Sequence, residues 1–322
     1  MSNKILDLIS EYQHAVIKTL ILMQRSGIKM PANRFEWINY KILCHGKLEG
    51  NINYLKHGGG CKVYYLNEVV DFDFGVNGEV DEFDLYKISL FSSGNLKKFG
   101  IKDKNELINL FDLDVNSRKI VRSCDGWYYL AHKKRLYARD VDAREPDDSL
   151  PMRHNDLVLL LYWDYFYAAE LMCRNYKSIS NKTDSLLDLG NNDRLECKIY
   201  FSSWLGYLYV TCEAFRKLKL RVLLLNERPL EFIELVPKAD EIGKLINRHS
   251  DALRKYRNGV FHLRDNLDSL TEFFSAKENR IEWVDELQST LLSFFKEYRM
   301  KCELHYIINH RLSESSLHEN NC

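Results

Sequence analysis

Hydrophobic positions at the start of the chain recur at the spacing of an amphipathic helix over residues 3–26. After this helix the pattern changes. Residues 62–65 and 69–74 are rich in β-branched and aromatic side chains and flank Leu66-Asn67-Glu68, which predicts a β-hairpin. Further strands are predicted at 84–91 and 126–130, and short helices at 34–44 and 105–112. Residues 1–143 are therefore predicted to form an α+β domain.

The rest of the chain has an almost purely helical pattern. Residues 144–153 hold two of the five prolines among charged side chains, which is typical of a linker. Long helices are predicted at 155–176, 196–218, 240–265 and 280–306, where the last carries the stripe Trp283, Leu287, Leu291, Phe294 and Phe295. The sequence therefore predicts an all-α four-helix bundle over residues 154–312. The polar residues 313–322 are predicted to form a flexible tail.

Composition limits the classes of function. Lys and Arg together number 46, as do Asp and Glu, so the formal net charge is zero and any contact with nucleic acid must be local. The eight cysteines form no C-x-x-C pair and have no zinc-site spacing, which favours reduced thiols in the cytoplasm. Charges at Lys4, Asp7 and Glu11 argue against a signal peptide. The apolar segment 157–173 is interrupted by charges and is too short for a membrane span.

The helix predicted at 240–265 has two opposed faces when plotted at about 100° per residue. One face is apolar and accounts for core packing: Leu245, Ala252, Leu253, Tyr256, Val260 and Leu263. The other face carries Arg254, Arg257, Asn258, Phe261, His262 and Asp265. Arginine offers a planar charged fork to phosphate oxygens, and histidine exchanges protons near neutral pH. This second face is therefore a candidate phosphodiester site, although an Arg, an Asn and a His are also ordinary residues of a solvated helix face.

The segment RKYRNGVFH, residues 254–262, resembles the motif of HEPN domains, in which Arg and a polar residue are followed by His. The stretch that begins Trp283-Val284-Asp285-Glu286-Leu287 also resembles that group, and the likeness covers about residues 154–308. Arg299 and His305 have the same Arg–His spacing pattern, without the asparagine.

The resemblance implies a bacterial endoribonuclease that needs no metal or other cofactor. It also implies a homodimer that pairs two motif helices in one composite site, often in toxin–antitoxin or anti-phage defence systems. Arg257 would hold the phosphate, His262 would act as acid and base, and Asn258 would support them. Arg254 and Phe261 would contact RNA or the second copy. Some HEPN domains only bind nucleotides, RNA or partners, so a non-catalytic module stays an alternative.

The first domain contains a second resemblance. Its residues 54–91 hold an H-G-x-G-C segment and V-D-F-D-F-G, and they resemble an uncharacterised bacterial family. Asp71 and Asp73 are expected on one face of a strand, about 7 Å apart. Glu79, Asp81 and Asp84 would add oxygens for a cation, with His57 and Cys61 nearby. A solvated sheet face is favoured over this metal site.

Two glycines followed by Asp-x-Asp also resemble the nucleotidyltransferase pattern, in which carboxylates hold magnesium. Two departures count against that likeness. Cys61 stands where those enzymes have serine, and a hairpin is predicted where their fold has a helix.

Overall fold

A computed structural model describes residues 4–124, 126–182, 188–261, 273 and 279–317. The chain divides into two compact units. The first holds Met1–Glu145 together with His305–Cys322, and the second holds Pro146–Leu304. The first unit is α+β and the second is helical, in agreement with the predicted fold class.

The described part of the first unit contains four α-helices and six β-strands. They are α1 (Lys4–Arg25), α2 (Arg34–Asn39), β1 (His45–Leu48), β2 (Ile52–His57), β3 (Gly60–Tyr64), β4 (Val69–Asp73), α3 (Leu85–Phe91), α4 (Lys104–Asn116), β5 (Ile120–Cys124) and β6 (Trp127–Leu130).

Strands β1 to β4 form an antiparallel meander, and β5 pairs with β6 in a separate two-stranded sheet. The predicted hairpin is confirmed: Lys62 pairs with Asp71 and Cys61 with Phe72. Side chains directly opposite each other share a face, so this register separates a polar face from an apolar one. Helix α1 packs against β4, and the Tyr12 hydroxyl donates to the backbone oxygen of Asp71 at 2.7 Å.

The strand predicted at 84–91 is wrong, because these residues form helix α3. The carboxylate of Asp84 accepts a hydrogen bond from the backbone N–H of Lys87, which caps the helix and fixes where it begins. Lys87, Ile88 and Phe91 are buried, and their spacing is that of one helix face. Helix α2 ends at Asn39, five residues short of the predicted end.

The second unit contains α5 (Leu157–Leu161), a π-helical turn (Tyr162–Phe166), α6 (Tyr167–Ser180), α7 (Asn191–Lys217), α8 (Leu220–Asn226), α9 (Val236–Phe261) and α10 (Arg280–Ile308). The helical pattern is confirmed, and the predicted apolar stripe of α10 is buried. Helix α9 contains one non-helical residue, His249. The short helix α8 was not predicted.

A buried ionic network fixes the start of α5. Asp156, which is fully buried, accepts from the backbone N–H of Val158 at 2.8 Å and from the Tyr298 hydroxyl at 2.7 Å. Its further partners are the backbone N–H of Leu159 and the Arg228 guanidinium, each at 3.3 Å, and Arg228 also donates to Tyr298 at 2.7 Å. Each charge of this network therefore has a partner, as burial requires.

The last residues of α10 and the segment after it belong to the first unit. Arg311 is buried, stacks on Tyr306 at 4.8 Å and pairs with Glu314 at 2.7 Å. The side chains of Ser313 and Ser315 are buried as well, whereas the sequence predicts a flexible tail from residue 313.

Within the described part of the chain, no helix combines the length and the apolar character needed to cross a membrane. The seven cysteines that the structure describes are all free thiols.

Candidate functional site

The motif predicted to carry chemistry lies at the carboxyl end of α9. On its predicted apolar face, Leu245, Leu253 and Tyr256 are each no more than 4% exposed, whereas Ala252 and Val260 are half-buried. Arg254 is exposed and pairs with Asp251 at 3.5 Å. The two predicted faces of this helix are thus present over the described residues.

Arg257 and Asn258 are joined to each other. The Arg257 Nη1 donates to Asn258 Oδ1 at 2.9 Å, and the guanidinium lies 5.9 Å from the centre of the Tyr209 ring. Both side chains are half-buried. Among the described residues no carboxylate pairs with Arg257.

Phe261 lies against the neighbouring helix α7. A β-carbon placed on Gly206 would stand 2.4 Å from the Phe261 ring, so any larger residue at position 206 would require the ring to shift. The ring is nevertheless 51% exposed. Phe261 is therefore an apolar surface held in place from one side and open on the other.

Two members of the predicted polar face, His262 and Asp265, lie outside the described residues, as does Leu263 of the apolar face. Arg299 and His305, which have the same Arg–His spacing as the motif, lie in different surroundings. Arg299 stacks on Tyr162 at 4.5 Å and on Trp163 at 4.9 Å, and His305 is buried.

A groove of about 180 Å³ lies between α7 and α9, beside Tyr209. Arg216, Lys217 and Glu213 line it, and Lys217 pairs with Glu213 at 2.9 Å. Tyr209 therefore lies near Arg257 and also lines the groove that holds Arg216 and Lys217.

A second candidate site lies on the polar face of β4. The sequence alone favoured the α9 motif over it. Asp71 and Asp73 are 5% and 8% exposed, so the solvated sheet face favoured above is wrong. Three other side chains surround the two carboxylates. We call the group the β4 cluster, and its members are His57, Lys62, Asp71, Asp73 and Lys87.

The lysines hold one oxygen of each aspartate. Lys62 Nζ lies 3.0 Å from Asp71 Oδ2, and Lys87 Nζ lies 2.8 Å from Asp73 Oδ2. Lys87 also lies 3.5 Å from Asp84 and over the Trp127 ring at 4.8 Å. The Oδ2 side of the pair is thus filled by ammonium groups.

The imidazole holds the other oxygens. His57 Nε2 lies 3.0 Å from Asp71 Oδ1, and its Nδ1 lies 4.0 Å from Asp73 Oδ1. Gly60 pairs with both His57 and Asp73 in the sheet, and it has no side chain to separate them. Gly59 is confined as well, because a β-carbon there would stand 2.5 Å from Arg34 Nε and 2.7 Å from Asp73 Oδ1. The glycine turn therefore lets the three groups meet.

Charge and burial act in opposite directions on these groups. Burial raises the pKa of Asp71, but hydrogen bonds from His57 and Lys62 and the charge of Lys87 bring it below its ordinary value. Burial lowers the pKa of Lys87, yet its bond to Asp73 and the other nearby carboxylates raise it above its ordinary value. Both groups therefore stay ionised at neutral pH.

The other residues predicted for a cation site are engaged elsewhere. Glu79 accepts from the backbone and side chain of Asn77 at 2.8 and 2.9 Å, and Asp81 pairs with Arg135 at 2.9 Å. Cys61 lies on the opposite face of β3 from Lys62, where burial raises its pKa to about 12. Strand β3 occupies the place where the nucleotidyltransferase pattern has a helix.

Sequence reasoning missed Lys62 and Lys87. The signal for Lys62 was its position opposite Asp71 in the predicted hairpin. Lys87 had no such signal, because residues 84–91 were predicted as a strand.

Comparisons with known proteins bear on the first unit. Residues 5–132 match a family described as a domain of unknown function (DUF6896), and the whole β4 cluster lies within the match. Neither a search of curated proteins nor a search of solved structures found a match.

Proposed function

We propose that the helical unit is a metal-independent endoribonuclease of the HEPN type, with Arg257, Asn258 and His262 at the scissile phosphate. One observation carries the proposal: Arg257 and Asn258 form a bonded pair, half-exposed, and no described carboxylate pairs with the guanidinium. A guanidinium that no described carboxylate engages, and that lies beside an aromatic ring, is suited to an anionic ligand.

The bond to Asn258 gives the guanidinium a fixed direction. Asn258 takes one N–H of Arg257 at 2.9 Å, and the remaining donors of the fork can hold two phosphate oxygens. Tyr209 lies under the same guanidinium and limits its movement. The pair therefore supplies positioning and charge stabilisation rather than proton transfer.

His262 supplies the proton transfer in this proposal. The 2′-hydroxyl oxygen attacks phosphorus and gives its proton to a base, and the bond from phosphorus to the 5′-oxygen breaks as that oxygen takes up a proton. The products are a 2′,3′-cyclic phosphate and a 5′-hydroxyl. Histidine titrates near neutral pH and can serve either step, the second copy's His262 serving the other.

The surface around the pair supports binding of RNA by a dimer. The half-exposed ring of Phe261 offers a stacking surface for a base or a packing surface for the second copy. The groove that Tyr209 also lines adds Arg216 as a second cation near this surface, whereas its Lys217 is paired with Glu213. A chain of zero net charge thus has a local place for the RNA backbone.

The test is incubation of the purified protein with RNA in EDTA, followed by analysis of product ends. We expect cleavage by the wild type to give cyclic phosphate ends, and His262→Ala and Arg257→Ala to lose it. Arg248→Ala is the matched control, since Arg248 lies on the same helix and pairs with Glu286 at 3.3 Å. Equal cleavage by wild type and His262→Ala would overturn the proposal. RNA binding without any product would leave a binding module in its place.

A further inference from the structure

The β4 cluster contains an unusual concentration of buried charge. Asp71, Asp73 and Lys87 have side chains no more than 10% exposed, and they lie within one group of contacts. Buried ion pairs are an expensive way to stabilise a fold, since apolar residues of similar size often do as well or better. Stability alone therefore does not account for the cluster, and a cluster of this kind is typical of a functional site.

The lysines leave one side of the carboxylate pair to the imidazole. Lys62 and Lys87 contact the Oδ2 atoms most closely, although Lys87 Nζ also lies 3.8 Å from Asp71 Oδ1. The Arg34 guanidinium lies beside Gly59, close to Asp73 Oδ1, so three cations balance the charges of Asp71, Asp73 and Asp84. Geometry rather than excess charge therefore identifies the imidazole side, where the Oδ1 atoms face His57.

The donor atoms on that side fit a metal ion. One donor atom from each of His57, Asp71 and Asp73 lies within 4.8 Å of the other two. Metal–ligand bonds of about 2.0–2.2 Å place the donors of a single ion about 3 to 4.4 Å apart, so only small shifts are needed. The side chain of His57 is 32% exposed, which leaves a path from solvent.

The residues around the three donors could hold them in place, as hydrogen-bonding partners of metal ligands do in other metalloproteins. Ligating carboxylates normally accept a hydrogen bond on the oxygen that the metal does not take. Lys62 and Lys87 are placed to donate to those oxygens, and Lys87 is itself held by Asp84 and Trp127. The lysines therefore need not leave when an ion binds between the Oδ1 atoms and the imidazole.

We propose that His57, Asp71 and Asp73 bind one divalent transition-metal ion, with Lys62 and Lys87 orienting the two carboxylates. One nitrogen and two oxygens suit Zn²⁺ or Mn²⁺, whereas Mg²⁺ and Ca²⁺ prefer oxygen alone. Three protein ligands leave the coordination shell open toward solvent, as in metal sites that bind a water or a substrate oxygen.

The experiment measures binding of Zn²⁺, and separately of Mn²⁺, to the full chain after treatment with EDTA and dialysis. Calorimetry gives affinity and stoichiometry, and the change in Tm on adding metal gives a second readout. We expect one ion per chain for the wild type. His57→Ala and Asp73→Asn should each weaken binding by at least about tenfold, because even the partners of ligands are worth tenfold or more.

Two further variants sharpen the result. His132→Ala removes an exposed histidine of the same unit and should leave binding unchanged, which excludes adventitious surface binding. Lys62→Gln keeps a donor for Asp71 but removes a positive charge beside the ion, so it should bind at least as tightly as the wild type.

Failure to bind either metal, or wild-type affinity in a folded His57→Ala variant, would overturn the proposal. Circular dichroism without metal establishes that each variant is folded. Cleavage of RNA in EDTA is measured separately, so the outcome for this site is independent of the outcome for the helical unit.

Discussion

The ring of Phe261 occupies the space that a side chain on Gly206 would need, with 2.4 Å between its Cε2 atom and an ideal β-carbon. The contact joins α7 to the end of α9, next to Arg257. A glycine at this point costs about 1 kcal/mol of helix stability relative to alanine, so the close approach of the two helices is accompanied by a loss of helix propensity in α7.

Gly206→Ala should therefore be destabilising although alanine favours helices. We expect a loss of about 1–3 kcal/mol, typical of overpacking, measured by urea denaturation. In a Phe261→Ala background the same change should be neutral or stabilising by up to about 1 kcal/mol. Equal effects of Gly206→Ala in both backgrounds would contradict the contact.

Tyr298→Phe should reduce the stability of the helical unit. The hydroxyl lies 2.7 Å from both Asp156 and Arg228, and its loss leaves two buried charged groups short of a partner. A cost of about 1–3 kcal/mol is expected from chemical denaturation. Tyr207→Phe, at a residue 41% exposed, is the control and should change stability by less than about 0.5 kcal/mol. Similar losses in both variants would mean that the network does not stabilise the unit.

Glu79 should make stability depend on pH in the acid range. Burial raises its pKa, but hydrogen bonds from Asn77 and the charge of Arg135 bring it below the ordinary value of 4.5. A carboxyl whose folded pKa is lowered stabilises the fold above its unfolded pKa, and the stabilisation is lost as pH falls through the folded pKa. Glu79→Gln should therefore be less stable than the wild type at pH 7, and the gap should narrow below pH 4.5. A gap that stays constant from pH 7 to pH 3 would disprove the role of this ionisation.

Cysteine reactivity should distinguish the exposed thiols from the buried ones. Cys44 and Cys124 are exposed, whereas burial raises the pKa of Cys212 to about 12 and that of Cys173 to about 11. Because the thiolate is the reactive form, the exposed pair should react with a disulfide reagent at pH 8 while the buried thiols react only in denaturant. The experiment uses the Cys322→Ser variant, so that this thiol does not add to the number of labelled cysteines. Rapid labelling of Cys212 in the native protein would contradict its burial.

Local patterns in the sequence were enough for most elements. The alternation in residues 69–74 places Asp71 and Asp73 on one face of β4, and the spacing in α9 separates Leu253 from Arg254. These features depend only on the periods of strand and helix. The strand prediction for residues 84–91 was wrong. The β-forming side chains there suggested a strand, whereas the cap from Asp84 and the burial of Lys87 favour a helix.

The burial of Asp71 and Asp73 could not be predicted from the local sequence pattern. Lys87 reaches Asp73 from α3, and His57 reaches Asp71 from β2 across the glycine of β3. Each contact depends on how separate elements pack, which the period of one strand does not contain. The face was therefore predicted correctly, while its environment was not.

The return of residues 305–317 to the first unit has a consequence for protein synthesis. A ribosome releases the helical unit before the segment with Arg311, Ser313 and Ser315 has emerged. The usual order, in which the amino-terminal domain folds first, is then incomplete for this chain. The first unit acquires these buried groups only after the whole helical unit has been synthesised, and a chain stopped at residue 145 lacks them.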